Sequence, residues 1–271
     1  MKIGLIDVDS KGFPNLPLMK LSAYHKAKGD AVEWYNPLFS ENLDRVYMSK
    51  VFSFTPDYTI YYDLIPETKT TAYGFLTRGC PRGCSFCHVA TKEGQKSYKV
   101  ADLKEFWHGQ KNIELLDPNI TGAKECIELF QQLVNSKACI NFNQGLDVRL
   151  MTEEKARLIK LMKIKYIHMA WDRYEDKEII IPKFKMFKEI TQLDKRKLIV
   201  YVLTNYNTTL DQDLERIYTL KNLGYWAYVT IYNKDALPKG HILRKLQRYV
   251  NNRFIFESCA SFDEYQKKGA Y

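Results

Sequence analysis

The chain has 271 residues, 45% of them apolar and 27% charged, with a formal charge of +9. That balance belongs to a globular chain long enough to bury a real core, and it excludes a disordered, fibrous or disulfide-dense protein. No apolar run approaches the ~20 residues a membrane span needs. The opening Met1–Gly12 stretch has a strand pattern with early charge, unlike a signal peptide, so the expected location is cytoplasmic, with no membrane partner. The basic balance is compatible with nucleic acid or another anionic partner, and equally with a solvated, lysine-rich surface.

In chain order, Lys2–Val8 reads as a strand. Pro17–Lys28 has helical spacing (Leu18, Leu21, Tyr24) and stops at Gly29. Ala31–Tyr35 and Lys50–Phe54 read as two further strands, the latter followed by the breaker Thr55-Pro56-Asp57. These form a small βαβ, Rossmann-like unit with a parallel sheet. It has no glycine-rich phosphate fingerprint after its first strand, which argues against dinucleotide binding there. Residues 57–70 read as a connection.

From Thr71 the alternation becomes regular. Strands are expected at Ala72–Thr77, Asn112–Leu116, Cys139–Asn143, Tyr166–Ala170, Leu198–Leu203 and Trp226–Ile231. Helices between them include Gly122–Asn135, Thr152–Lys163 (Thr152 as N-cap) and Asp211–Leu223, ended by Gly224. Six such units cannot close an eight-fold barrel. The expected fold is α/β, an open (β/α)6 partial TIM-type barrel preceded by the small βαβ unit. The expected divisions are residues 1–68, 69–235 and a basic C-terminal extension over 236–271.

Six cysteines stand at 80, 84, 87, 126, 139 and 259. The first three form Cys80-Pro81-Arg82-Gly83-Cys84-Ser85-Phe86-Cys87, directly after the first barrel strand. Three thiolates this close can reach three corners of an iron–sulfur cubane. Gly79, Pro81 and Gly83 let the loop wrap tightly, and Arg78 and Arg82 bring positive charge to an anionic cluster. An electron-transfer ferredoxin would supply a fourth cysteine nearby, whereas three ligands leave one iron open. A zinc site with His88 as fourth ligand is the alternative, made awkward by the adjacency of Cys87 and His88. Cys126, Cys139 and Cys259 read as small buried hydrophobes.

C-x3-C-x-φ-C with an aromatic φ, here Phe86, resembles the motif of the radical S-adenosylmethionine superfamily. The resemblance implies a [4Fe-4S] cluster on Cys80, Cys84 and Cys87, with S-adenosylmethionine chelating the open iron. It further implies reductive cleavage to a 5′-deoxyadenosyl radical that abstracts hydrogen from a substrate, and a reductant such as flavodoxin or ferredoxin. The alternative is an iron–sulfur electron-transfer or binding protein that never cleaves S-adenosylmethionine.

Cofactor contacts are then expected at the carboxyl ends of the other strands. Asp117 and Asn119 stand where the family often has a glycine-glycine-glutamate segment, which is absent here, and are expected as contacts to the cofactor; an Asp-Pro-Asn turn capping the next helix is the alternative. Gln144, Asp147 and Arg149 follow the third strand in a segment similar to the family's third-strand motif, Arg149 being suited to a methionine carboxylate. An internal Asp147–Arg149 pair is the alternative. Asp172 after the fourth strand would meet ribose hydroxyls, with Trp171 or Tyr174 stacking on a ring or, for Trp171, packing in the core. Asn205 after the fifth strand completes the set.

The first seventy residues resemble the start of a cobalamin-binding-type domain. They have roughly half its usual length and lack its Asp-x-His-x-x-Gly loop, so cobalamin is not expected, and the unit reads as a vestigial cap. The stretch Lys234–Arg253 holds six Lys/Arg and one Asp. It reads either as a phosphate-backbone contact or as a solvated amphipathic helix. A methylthiotransferase would need a second three-cysteine cluster, and a peptide maturase a cysteine-rich tail; neither is present. A nucleotide, nucleic acid or other anionic molecule is the expected substrate class, on charge alone.

Overall fold

A computed structural model describes residues 1–10, 13–35, 40, 43–50 and 70–267. The chain divides into two compact units, Met1–Tyr73 and Gly74–Tyr271.

In the first unit, β1 (Lys2–Asp7) is the central strand of a three-stranded parallel sheet, flanked by β2 (Ala31–Trp34) and β3 (Arg45–Ser49). Helix α1 (Leu16–Ala27) starts where Asn15 Oδ1 accepts from Leu18 N at 3.3 Å, with proline in its first turn. Ile3, Leu5 and Leu18 form the core, with Leu21, Val32, Trp34 and Tyr47 packed against it. The third strand described, Arg45–Ser49, is one the sequence pattern did not give. Lys50 is outside any strand, and residues 51–54, like the expected connection over 57–69, lie outside the described residues. His25 is buried, with Nδ1 at 2.7 Å from Asp30 and Nε2 at 3.0 Å from the Tyr47 hydroxyl.

The larger sheet has six strands in the order β11-β10-β9-β8-β7-β4. They are β4 (Thr71–Gly74), β7 (Asn112–Leu115), β8 (Cys139–Leu146), β9 (Lys163–Ala170), β10 (Leu198–Thr204) and β11 (Trp226–Ile231); a separate antiparallel pair joins β5 (Thr77–Arg78) to β6 (Tyr98–Lys99). The pairs from β7 to β11 are parallel, and each strand adds beside its predecessor. Helices alternate with them: α2 (Val89–Glu93), α3 (Cys126–Ser136), α4 (Glu153–Leu161), α5 (Lys177–Thr191) and α6 (Leu210–Asn222). The fold is α/β with a mainly parallel six-stranded sheet flanked by helices, compatible with a partial barrel.

The strands are placed by their burial pattern. In β10, Leu198, Val200, Val202 and Thr204 are buried while Ile199, Tyr201 and Leu203 are half-buried, the period-2 signature of a strand with two unlike faces. Apolar helix residues such as Phe184 and Phe187 of α5 and Ile217 and Leu220 of α6 are wholly buried. Past β11, α7 (Ile242–Asn251) buries Leu243, Leu246, Tyr249 and Val250. It is followed by α8 (Arg253–Ser258) and α9 (Phe262–Lys267). Helix α7 covers the edge strand: Asn251 Oδ1 accepts from Val229 N at 2.7 Å, and Asn251 Nδ2 and Gln247 Nε2 donate to Val229 O, each at 3.0 Å. Residues 242–251 of the basic stretch are therefore an amphipathic helix that satisfies the edge strand at Val229. Among the described residues no helix is long and apolar enough to cross a membrane.

Candidate functional site

The strand expected to run through Thr77 breaks after Gly74, and Asp117 is the cause. Its buried carboxylate accepts from Leu76 N at 3.1 Å, from Thr77 N, and from Thr77 Oγ1 at 2.6 Å. These amides would otherwise seek a ladder partner. Burial pushes the Asp117 carboxyl up to about 6, against the Thr77 and Leu76 hydrogen bonds. Asp117 is thus the anchor at the root of the cysteine loop, turned toward the backbone that enters it.

Beyond that root the loop folds back on itself. Gly79 N donates to Glu93 Oε2 at 2.9 Å, Arg78 pairs with the same carboxylate at 2.8 Å, and Cys80 N donates to Gly94 O at 3.3 Å. Gly79 has φ +76°, and a Cβ there would lie 2.1 Å from Lys96 O, so no other residue fits. Cys87 N donates to Cys84 O at 3.0 Å, closing a turn that holds Ser85 and Phe86.

Three strand ends grip this loop. Asn119, past β7, is buried and donates Nδ2 to Cys80 Sγ at 3.4 Å. Past β8, Asp147 receives Arg82 Nε at 2.6 Å and Arg149 Nε at 2.8 Å. Past β10, the Tyr206 hydroxyl bonds Ser85 Oγ, and its ring meets Phe86 edge-on at 5.1 Å. Arg149 also donates Nη1 to Asp176 at 2.6 Å. Burial works against the Asp147 charge, but the hydrogen bonds and charges of Arg149 and then Arg82 outweigh it and hold the carboxyl below its usual value.

A cavity of about 330 Å³ opens at these strand ends, with Cys84, Phe86, Arg149, Asp172 and Tyr206 in its wall. Burial pushes Asp172 up to about 6 despite Arg216 nearby, and Leu203 N donates to it at 3.3 Å. Burial also pushes the Cys84 thiol up, against the Arg149 charge. The remaining expected contacts, Tyr174 apart, are elsewhere. Gln144 is exposed in the irregular end of β8, where the register shifts between Phe142 and Leu146. Asn205 is exposed with φ +63° and donates to Tyr232 O at 2.8 Å. Trp171 is in the core, 1% exposed, while Tyr174 stands in the cavity wall and donates to Glu215 at 2.5 Å.

One positioning residue was not legible from sequence. Arg216 on α6 is fully buried; it donates to Trp171 O at 2.6 Å, Asp172 O at 3.0 Å, Leu203 O at 2.8 Å and Asp213 Oδ1 at 2.5 Å. It ties the ends of β9 and β10 together, which sets where Asp172 stands. On an amphipathic helix an Asp–Arg pair at i,i+3 reads as a surface pair, so the only available signal pointed the wrong way.

Three free thiols stand on the one cysteine loop. Cys80, Cys84 and Cys87 are half-exposed there; Cys126 and Cys259 are buried as expected, whereas Cys139, at the start of β8, is half-exposed and not the buried residue expected. Burial pushes Cys126 up to about 12, as for an inert core thiol. Among the described residues no three His, Cys, Asp or Glu side chains converge as ligands of one metal ion. No protein-family model matches the chain, and no curated protein matches it.

Proposed function

We propose that the chain is a radical S-adenosylmethionine enzyme built on an open (β/α)6 partial barrel, with Cys80, Cys84 and Cys87 as ligands of a four-iron cluster. The observation that carries this reading is that Cys84 and Phe86 share one polar cavity at the strand ends with Arg149 and Asp172. An electron-transfer cluster would be better served by a closed loop with four thiolates. When bound, the group would supply a single electron to the sulfonium of S-adenosylmethionine.

The residues of this chain have separate tasks in that reading. Asn119 supports Cys80 through its Sγ hydrogen bond, an interaction of the kind that tunes a metal-bound sulfur. Arg82 and Arg149 set positive charge beside the thiolates, and Asp147 fixes both guanidinium groups in place. Asp172 offers acceptor oxygens to a hydroxyl-bearing ligand. A flavodoxin- or ferredoxin-type reductant and an anionic substrate complete the proposal.

The test is anaerobic reconstitution with iron and sulfide, followed by dithionite and S-adenosylmethionine. The expected result is a reduced four-iron signal by EPR and formation of methionine and 5′-deoxyadenosine. An intact reduced cluster that yields no 5′-deoxyadenosine would overturn the enzyme reading in favour of electron transfer.

A further inference from the structure

The face of the large sheet away from the buried Val200 and Val202 carries chemistry that the cysteine loop does not use. Tyr201 points to that face by the alternation of β10, and so do His168 on β9 and Tyr228 on β11. Tyr201 lies directly opposite Tyr228, and His168 opposite Ile199, so His168 and Tyr201 are diagonal neighbours. Their rings stack at 5.7 Å and 15°. Tyr228 meets Tyr201 edge-on at 5.6 Å, and Tyr166 flanks His168 at 6.4 Å. Tyr166 and Tyr228 are 37% and 40% exposed, so the row of rings opens to solvent.

Beside the tyrosine hydroxyls and the Asn141 amide N–H, this face carries several acceptors. His168 Nδ1 lies 2.8 Å from Phe142 O. A carbonyl only accepts, so Nδ1 carries the proton and Nε2 is left as an acceptor, with no hydrogen bond to any described residue. Burial holds His168 below its usual value, against the Phe142 carbonyl and the Glu114 charge, which keeps the ring neutral and the acceptor intact. Asn141, opposite Tyr166 in the sheet and 7% exposed, donates Nδ2 to Glu114, and its buried Oδ1 has no partner. The nearby cation, Lys165, is already paired with Glu114 at 3.0 Å.

Stacked rings beside several acceptors suit a planar ligand whose edge is rich in donors. Guanine presents adjacent N1–H and N2–H groups on one edge, whereas adenine alternates donor and acceptor there. We propose that this face binds the base of a guanine nucleoside, stacked on the Tyr201–His168 pair with its donor edge toward His168 Nε2 and the Asn141–Glu114 pair. The proposal goes beyond the cluster reading and stands without it, because binding needs neither iron nor reductant.

The experiment is titration of the metal-free full chain with guanosine, adenosine and 1-methylguanosine, followed by calorimetry and by the ring-proton shifts of the nucleoside. Guanosine is expected to saturate with upfield ring shifts and to bind roughly tenfold tighter than the other two, each of which loses a matched hydrogen bond. Y201L is expected to weaken guanosine roughly tenfold through loss of stacking. Y228L, at a more exposed position, gives a smaller loss and guards against misfolding of the first variant. H168F keeps a ring but removes the acceptor, and should bring guanosine down to the level of adenosine. Absence of saturable guanosine binding, equal binding of the three nucleosides, or guanosine binding unmoved by both Y201L and H168F would each overturn the proposal.

Discussion

Asp117→Asn separates the two forces acting on the root of the cysteine loop. The carboxyl is raised from 3.8 to about 6 by burial, although Thr77 and Leu76 donate to it. A folded-state value above the unfolded one means that the folded chain binds the extra proton between those two values. The charge therefore costs stability at neutral pH, and the cost is relieved as pH falls through about 6 toward 4. For a carboxyl raised by about two pH units, the relief between pH 7 and pH 4 amounts to about 2–3 kcal/mol. Asparagine keeps an acceptor oxygen for the buried amides but cannot titrate. Asp172, also raised to about 6 by burial, is present in both proteins and cancels in the difference. Urea denaturation of wild type and D117N at a series of pH values should show the wild type gaining about 2–3 kcal/mol on the variant as pH falls from 7 to 4. A flat difference, or one moving toward the variant on acidification, would mean that the hydrogen bonds outweigh burial and would refute the reasoning.

Replacing Gly79 by alanine forces a Cβ to 2.1 Å from Lys96 O at φ +76°; thermal denaturation should show a loss of more than about 2 kcal/mol, with faster proteolysis of the loop. R82A removes a contact whose arginine is 32% exposed, so the global loss should stay within about 1 kcal/mol while amide exchange rises at residues 80–88. R216M leaves Asp213 buried without its partner and removes the donor to three carbonyls; a loss of about 3–5 kcal/mol is expected by denaturant titration. After reconstitution, C84A should lose the cluster absorbance and iron, and C126A should retain both, because Cys126 is a buried thiol on α3, outside the cysteine loop.

Local periodicity was enough to find the six strands of the large sheet. Trp226–Ile231 has the expected bounds, and Leu198–Thr204 differs by one residue, because in both every second residue is buried under helices and the signal is repeated along the element. The signal failed where a long-range contact replaced the ladder. Nothing near residue 77 announces that Asp117, forty residues later, will take its amide. The end of β8 runs past the expected bound because Asn143, Gln144 and Gly145 sit in a register irregularity, where polar residues and a φ of +120° do not look like a strand. In the first unit Arg45–Ser49, which pairs with Ile3–Asp7, went unexpected because its apolar residues are few and largely exposed, while residues 51–54 of the expected strand lie outside the described residues. The cysteine spacing was legible in full; the guanidinium and carboxylate lattice around it was legible only as a list of polar residues, because which acid takes which base is decided between strands.

That lattice limits what Arg149 can do for a ligand. It is held by Asp147 through Nε at 2.8 Å and by Asp176 through Nη1 at 2.6 Å, so its fork is already occupied by two carboxylates. A ligand carboxylate arriving in the cavity would have to displace one of them, and Asp147 is the harder to displace because Arg82 holds it from the other side at 2.6 Å. Asp176, in the segment following β9, is the contact that would yield. D176A, which removes the acceptor, should therefore free one edge of the guanidinium while leaving the Arg82–Asp147–Arg149 chain in place. If a carboxylate-bearing ligand binds through Arg149, this variant binds it at least as tightly as wild type in a calorimetric titration. R149A, which loses the guanidinium altogether, binds it roughly tenfold or more weakly, as expected for a charge-assisted bidentate pair. Equal affinity of wild type and R149A would place the ligand carboxylate away from Arg149 and leave that residue a purely positioning role for the cysteine loop.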